Sequence, residues 1–483
     1  MRRPAFLVTA LLVSASLVLS SCRGNVSFAE PEAATPKRPN IIFVLTDDLA
    51  MNLVEYMPRV RQMRQQGMTF NNYYVTDSLC CPSRSTIFTG KYPHNTGVFT
   101  NQGADGGYHT FKARGNERST FGTALQKAGY RTAMMGKYMN EYQPTDPVPP
   151  GWDEWAVAGK GYPEFDYTLN ENGRRVRYGH QPKDYLTDVL AGKGTDFISR
   201  SAKDGKPFMM EIATFAPHGP YTPAPRHKDL FPSLQAPRGP AFDEPDVSDK
   251  PAWLKSHPRL RPQQVKTIDT AFRKRARSVQ AIDEMIGRLQ ATLKATGTDR
   301  DTYLLFSSDN GFHLGEHRLA AGKQTAFDTD IRVPLVVTGP GVAAGSVHNG
   351  LAQNTDLCPT FEQLGGAPVP ASVDGQSLVP ALKGDGAVPE RDAVLIEHHG
   401  PNDRPDDPDR QDRASGNPPT YGAVRTPDEL YVEYVGGQQE YYALKNDPDQ
   451  LDNTVGRLSP QRREQLKNKL HELQKCRGAD CRK

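Results

Sequence analysis

Residues 41–45 read Ile-Ile-Phe-Val-Leu. An unbroken apolar run of this length predicts a strand buried on both faces. A helix is predicted from Pro58 to Gln66, with Val60 and Met63 on one face and Gly67 as its stop. The same reading predicts a helix over 120–128 ending at Gly129, a strand over 132–135, a strand over 208–215 and a long helix over 263–295. Short apolar runs at 303–306 and 333–337 are further strands. Strands alternating with amphipathic helices predict an α/β fold with a large, mostly parallel sheet flanked by helices. Past residue 385 the pattern changes. Residues 393–396, 422–424 and 430–434 read as antiparallel strands of a smaller α+β domain, and 460–474 as a charged helix. The segment 401–419, rich in Pro, Asp, Arg and Asn, reads as a solvated loop.

The N-terminus has another character. Met1-Arg2-Arg3 precedes an apolar run over 5–19, too short and wrongly flanked for a spanning helix. Residues 1–22 read as a signal peptide. Leu19-Ser20-Ser21-Cys22 resembles a bacterial lipoprotein box, in which Cys22 would be lipidated; plain secretion with an incidental cysteine is the alternative. Residues 23–37 read as a tether, 38–385 as the catalytic domain and 386–483 as the C-terminal subdomain. The expectation is export, either lipid-anchored at the cell surface or secreted.

The 483 residues carry 59 Lys+Arg against 56 Asp+Glu, a net charge of +3. Nothing in that balance points to nucleic acid or to an acidic membrane surface, so any attraction for an anion must be local. Of the six cysteines, Cys476 and Cys481 could pair around a short loop and Cys358 reads as a small buried hydrophobe. Cys80-Cys81 is left to explain.

Two strand ends are acidic. Asp47-Asp48 follows the first strand, and Asp309-Asn310-Gly311 follows the strand at 303–306. Adjacent carboxylates beside a buried strand are costly unless a cation neutralises them. Open α/β sheets place ligands at such carboxyl ends. Three carboxylates and an amide suit Ca²⁺ or Mg²⁺ better than zinc; a turn with a helix cap at Asp48 is the bland alternative.

The segment Cys80-Cys81-Pro82-Ser83-Arg84, continuing to Thr89-Gly90, resembles the signature of the type I sulfatases. Gly136-Lys137-Tyr138, Pro217-His218-Gly219-Pro220, Gly322-Lys323 and Glu440-Tyr441-Tyr442 resemble further family motifs, in family order, over roughly residues 38 to 455. The resemblance implies an alkaline-phosphatase-like fold and hydrolysis of sulfate esters. It implies that a formylglycine-generating enzyme oxidises Cys80 before folding, and that the hydrated aldehyde, a geminal diol, attacks sulfur. It implies Ca²⁺, with Mg²⁺ as the lesser alternative, held by Asp47, Asp48, Asp309, Asn310 and position 80. Arg84, Lys137 and Lys323 would neutralise the sulfate, and His218 or Lys323 would protonate the leaving alcohol. His313 is a further candidate. Met139 stands where many arylsulfatases have a histidine, so the group that triggers sulfate release is open.

The Cys-Cys doublet, Gly-Lys-Tyr and the histidine loop are most similar to the N-acetylglucosamine-6-sulfatase branch. That implies 6-O-sulfated glucosamine in glycans as substrate, with His398 and His399 as candidate substrate contacts. A broad arylsulfatase, a phosphate or phosphonate ester hydrolase on the same fold, and a non-catalytic lipoprotein that binds sulfated glycans are the competing readings.

Overall fold

The apolar run at 41–45 becomes β1 (Asn40–Thr46), buried along its whole length. The structure, a computed structural model, describes residues 38–384 and 390–482. Cys22, the predicted signal peptide and tether, and the boundary at 385 lie outside the described residues.

Nine further strands join β1: β2 (Met68–Tyr74), β3 (Arg131–Lys137), β4 (Glu154–Ala158), β5 (Thr168–Glu171), β6 (Arg174–Arg177), β7 (Phe208–Ala213), β8 (Thr302–Ser308), β11 (Leu335–Thr338) and β12 (Ser346–Gln353). A short hairpin, β9 (His313–Leu314) with β10 (Ala321–Gly322), stands apart. The order across the large sheet is β12-β2-β11-β8-β1-β7-β3-β4-β5-β6. Strands β8, β1, β7, β3 and β4 run parallel. The edges depart from that pattern: β11 is antiparallel to both β8 and β2, and β4-β5-β6 form an antiparallel ribbon. The sheet is therefore mixed, with a parallel centre.

Apolar side chains cover both faces. One layer packs Phe43, Leu305 and Phe361 with the helices Phe121–Lys127 and Leu357–Leu364; the other packs Val44, Phe306 and Ile212 with Leu186–Asp204 and Pro262–Ala295. Thr120 caps its helix by accepting from the Thr123 amide. Cys358 is fully buried in its helix, as its apolar neighbours require.

A separate antiparallel sheet follows, β13 (Val394–His398), β14 (Tyr421–Arg425), β15 (Glu429–Tyr434) and β16 (Gln439–Ala443), in that spatial order. The helix Pro460–Leu473 packs on it through Leu466 and Leu470. The chain then closes on a Cys476–Cys481 disulfide with a Cα–Cα distance of 5.0 Å. Among the described residues no helix is long and apolar enough to cross a membrane.

Candidate active site

The carboxyl ends of β1 and β8 are neighbours because the two strands pair in register, Thr46 opposite Ser308. Asp47-Asp48 and Asp309-Asn310 therefore meet. Asp48 sits at φ 65°, a left-handed conformation uncommon outside glycine. Its amide donates to Asp309 Oδ1 at 3.0 Å, and Asn310 Nδ2 donates to Asp48 Oδ1 at 2.8 Å. Arg275, fully buried, donates to the Asp48 and Pro217 carbonyls and so holds this turn from beneath.

The helix Cys80–Thr89 is buried at all ten positions. It ends at Gly90, whose φ of 68° and whose 2.8 Å clearance to Val373 leave no room for a side chain. Its first residue delivers Cys80 Sγ to 3.2 Å from Asp47 Oδ1 and 3.8 Å from Asp48 Oδ1. One turn on, Arg84 Nε donates to Asp309 Oδ2 at 2.8 Å and Nη1 to the Lys137 carbonyl at 2.8 Å. The Gly-Lys motif has a backbone cause. Gly136 lies at φ 99° with the Ala213 carbonyl only 1.8 Å from where a Cβ would stand, and this kink at the end of β3 sends Lys137 Nζ to Asp47 Oδ2 at 2.7 Å.

Lys323 follows β10 and reaches the same centre: Nζ lies 2.6 Å from Asp48 Oδ1, 2.8 Å from Asp409 Oδ1 and 2.8 Å from Cys80 Sγ. His218 Nδ1 donates to the Gly219 carbonyl at 2.8 Å and Nε2 to Asp409 Oδ1 at 2.7 Å. Both partners only accept, so the ring carries both protons. Burial alone would lower its pKa, but Asp48, Asp409 and Asp47 outweigh that and raise it to about 9. Four cationic groups, Arg84, Lys137, Lys323 and His218, thus face four buried carboxylates, Asp47, Asp48, Asp309 and Asp409. Burial lowers the pKa of Lys323 less than Asp409 and Asp48 raise it, and the ammonium stays charged. Burial, Asp409 and Asp47 push the Cys80 thiol well up, so this sulfur is not held as a thiolate.

The acidic residues fit a hard cation. Ligand atoms of Asp47, Asp48, Cys80 and Asp309 lie within 4.8 Å of one another. Asn310 Oδ1 is buried without a hydrogen-bond partner. A buried orphan acceptor beside three carboxylates is the arrangement an oxygen-seeking ion satisfies.

Asp409 was not among the sequence-predicted site residues. It comes from the 401–419 segment, read as a solvated loop, yet it is 3 % exposed. Its Oδ2 accepts from Asn101 Nδ2 at 2.7 Å and lies 3.4 Å from Cys80 Sγ. Asp407, also from that segment, accepts from Asn101 and Asn402 and is buried as well. The solvated-loop reading is therefore corrected: counter-charges and amide donors on other elements draw these acids inward.

Three predicted residues lie elsewhere. His313 is buried with Nδ1 2.9 Å from Asp330 Oδ2 and Nε2 2.8 Å from the Ser415 carbonyl, so it ties β9 to the end of the 401–419 segment. His398 is buried 3.4 Å from Asp77 Oδ1. His399 pairs with Asp105 at 2.7 Å and stacks on Phe99. None of the three contacts Cys80. Met139 places its sulfur 3.7 Å from Cys81 Sγ. It also lines a cavity of about 350 Å³ with Asn101, Lys137, Tyr162 and Asp407, which adjoins the charged centre.

Comparisons with known proteins agree with this geometry. The family described as Sulfatase matches residues 39–367, and the one described as N-sulphoglucosamine sulphohydrolase, C-terminal, matches 315–476. The human N-acetylglucosamine-6-sulfatase is 34% identical over 498 residues, covering 96% of this chain and 89% of that protein. An arylsulfatase of Volvox carteri is 32% identical, covering 93% of this chain and 76% of that protein. A solved structure described as a complex with its substrate, D-glucosamine-2-N,6-O-disulfate, superposes with a TM-score of 0.73 at 26% identity, covering 91% of this chain and 98% of that one.

Proposed function

The chain belongs to the sulfatase family and is a sulfuric ester hydrolase, and from that premise we propose that it removes the 6-O-sulfate of N-acetylglucosamine units in sulfated glycans. The observation that carries the reading is the meeting of Cys80, two acidic strand ends and four cations in one buried centre. The relatives named for N-acetylglucosamine-6-sulfate support the sugar. The arylsulfatase relative keeps broad aryl sulfate hydrolysis as the second reading.

Asp47, Asp48, Asp309 and Asn310, with position 80, would hold a calcium ion, which supplies positive charge and Lewis acidity beside the sulfate. Formylglycine at position 80, made from Cys80 by a formylglycine-generating enzyme, would supply a hydrated aldehyde able to accept and then release the sulfuryl group. Arg84 orients the nucleophile's helix against Asp309 and the Lys137 carbonyl. Lys137 and Lys323 neutralise the sulfate oxygens. His218 holds a proton on Nε2, its only nitrogen not committed to its own loop, and delivers it to the leaving alcohol. Asp409 positions His218 and Lys323. Export through residues 1–22, with lipidation at Cys22, and a division at 385 into catalytic domain and subdomain belong to the same proposal.

Two measurements test it. Cys80→Ala should abolish sulfatase activity while Cys81→Ala keeps most of it, and mass analysis of the wild-type peptide should show formylglycine at position 80. Equal activity of Cys80→Ala and wild type refutes the mechanism. Against substrates, 6-O-sulfated N-acetylglucosamine should exceed both an aryl sulfate and the 3-O-sulfated isomer in kcat/KM. A preference for the aryl sulfate selects the second reading.

A further inference from the structure

The helix that presents Cys80 at its first residue ends at Gly90, and its far end opens onto a second cavity. Ten residues at about 1.5 Å each put that cavity about 15 Å from Cys80 along the helix axis. Its volume is about 440 Å³, and Lys91, His94, Arg114, Ser372, Asp374 and Arg477 are among its walls. None of these residues has a part in the sulfate chemistry described above.

The charge of this cavity is one-sided. Among the described residues, the side chains of half-buried Lys91 and of exposed Arg114 and Arg477 make no ion pair or hydrogen bond. The one carboxylate, Asp374, is already saturated: Oδ2 accepts from the Tyr92 amide at 2.8 Å and Asn95 Nδ2 at 2.9 Å, and Oδ1 from the Gly478 amide at 2.7 Å. His94 is engaged by Glu397 at 2.7 Å. Three cations thus line one cavity against a single carboxylate, on a chain whose net charge is only +3, so the cluster does not reflect a generally basic surface.

The walls are also built rather than incidental. Arg477 lies inside the Cys476–Cys481 loop. Gly478, at φ 55°, packs so tightly that a Cβ would stand 2.3 Å from the Ala371 carbonyl. The Cys476 carbonyl accepts from Asn95 Nδ2 at 3.0 Å. The disulfide loop is thereby fastened to the backbone that carries Lys91 and His94, which fixes the backbone from which the cations project.

We propose that this cavity is a secondary binding site for the sulfate groups of a glycan chain, engaging units other than the one being hydrolysed. The proposal rests on the sulfated-glycan reading of the active site. Arginine pairs planar N–H donors with oxyanions, and Lys91 adds a point charge. A site of this kind raises affinity for sulfated oligosaccharides over monosaccharides by adding contacts remote from the reacting bond, which lowers KM without changing kcat.

The test compares wild type with Arg114→Glu/Arg477→Glu and, separately, Lys91→Glu, each checked for folding by circular dichroism and melting temperature. Binding of a heparin-derived octasaccharide, of its desulfated form and of inorganic sulfate is measured by calorimetry at low and high salt. Hydrolysis of N-acetylglucosamine-6-sulfate and of a sulfated oligosaccharide is followed in parallel. The expected result is about tenfold weaker octasaccharide binding and a similar rise in oligosaccharide KM in the double variant, with monosaccharide kcat/KM unchanged. Unaltered octasaccharide affinity in both folded variants overturns the proposal. So does binding of inorganic sulfate as tight as that of the octasaccharide, which would mark an adventitious anion only. If wild type fails to turn over the monosaccharide, the functional reading fails, and the calorimetry still decides the secondary site.

Discussion

Asp409→Asn isolates charge from shape. The amide keeps the side chain's size, but offers one acceptor oxygen where the carboxylate serves His218 and Lys323 through Oδ1 and Asn101 through Oδ2, and it leaves three carboxylates facing four cations. At 2.7 Å from His218 and 2.8 Å from Lys323, each lost attraction is about 6 kcal/mol before solvation, taking an effective dielectric constant of about 20. Relief of the desolvation cost offsets part of that. The net cost of removing one member of a buried pair is about 3–5 kcal/mol. In denaturant unfolding the variant should show a lower midpoint at unchanged slope. Catalysis should suffer too, because His218 loses the carboxylate that fixes Nε2 and Lys323 keeps Asp48 as its one paired carboxylate among the described residues. A fall in kcat/KM of about 10²-fold or more is expected. Asp403→Asn is the control, since Asp403 is exposed and, among the described residues, its side chain bonds Asn417 alone, at 3.2 Å; it should change neither quantity. If Asp409→Asn unfolds at the wild-type midpoint and turns over substrate within a factor of two, the positioning role assigned to this loop is wrong.

Chelation of calcium should abolish turnover, with recovery on adding Ca²⁺, and Asn310→Ala should raise the Ca²⁺ concentration needed for half recovery; full activity after exhaustive chelation refutes the ligand assignment. Glu211, buried in β7 with both oxygens unpartnered, is pushed up to about 8 by burial, only partly countered by Arg84. Its folded pKa exceeds the unfolded value of 4.5, so its contribution to stability is full below that value and is lost as pH rises through about 8, each pK unit being worth about 1.4 kcal/mol. Glu211→Gln should therefore flatten the decline in melting temperature between pH 5 and 9, and an unchanged slope contradicts the shift.

The strands at 41–45 and 303–306 were legible because a doubly buried strand must be apolar at consecutive positions, and their acidic ends were legible because two carboxylates there need a reason. The Cys80–Arg84 segment, Lys137, His218 and Lys323 could be placed through motif resemblance, and the structure brings all of them to one centre. Other features had no local signal. β2 carries Asn71-Asn72 and half-buried positions, so it lacks the apolar run of a central strand. Strand direction in β11 depends on a crossover, not on composition. Asp409 sits among Pro, Asp and Arg residues, the composition of an exposed loop. Its burial is decided by lysine and histidine side chains far away in the sequence, which local composition cannot register. His313 illustrates the reverse error: a histidine three residues from a predicted ligand is attractive by proximity, yet both its nitrogens are committed to Asp330 and Ser415.

The contacts around Cys80 span long stretches of chain: 33 residues to Asp47, 243 to Lys323 and 329 to Asp409. Closing loops of such length costs conformational entropy before any ion pair repays it, and non-local topologies form slowly. The charged centre therefore exists only once these long-range closures have been made. Until the segment around residue 409 arrives, no counter-charge from it can reach Cys80, and the Cys80–Arg84 stretch is open chain rather than the interior of a helix buried on all sides. If Cys80 is converted to formylglycine as proposed, the modifying enzyme would have that interval, and not the finished fold, in which to reach the sulfur. On that proposal, the rate at which the second sheet docks would set what fraction of molecules mature, and a mutation that merely hastens docking would lower activity without touching the site.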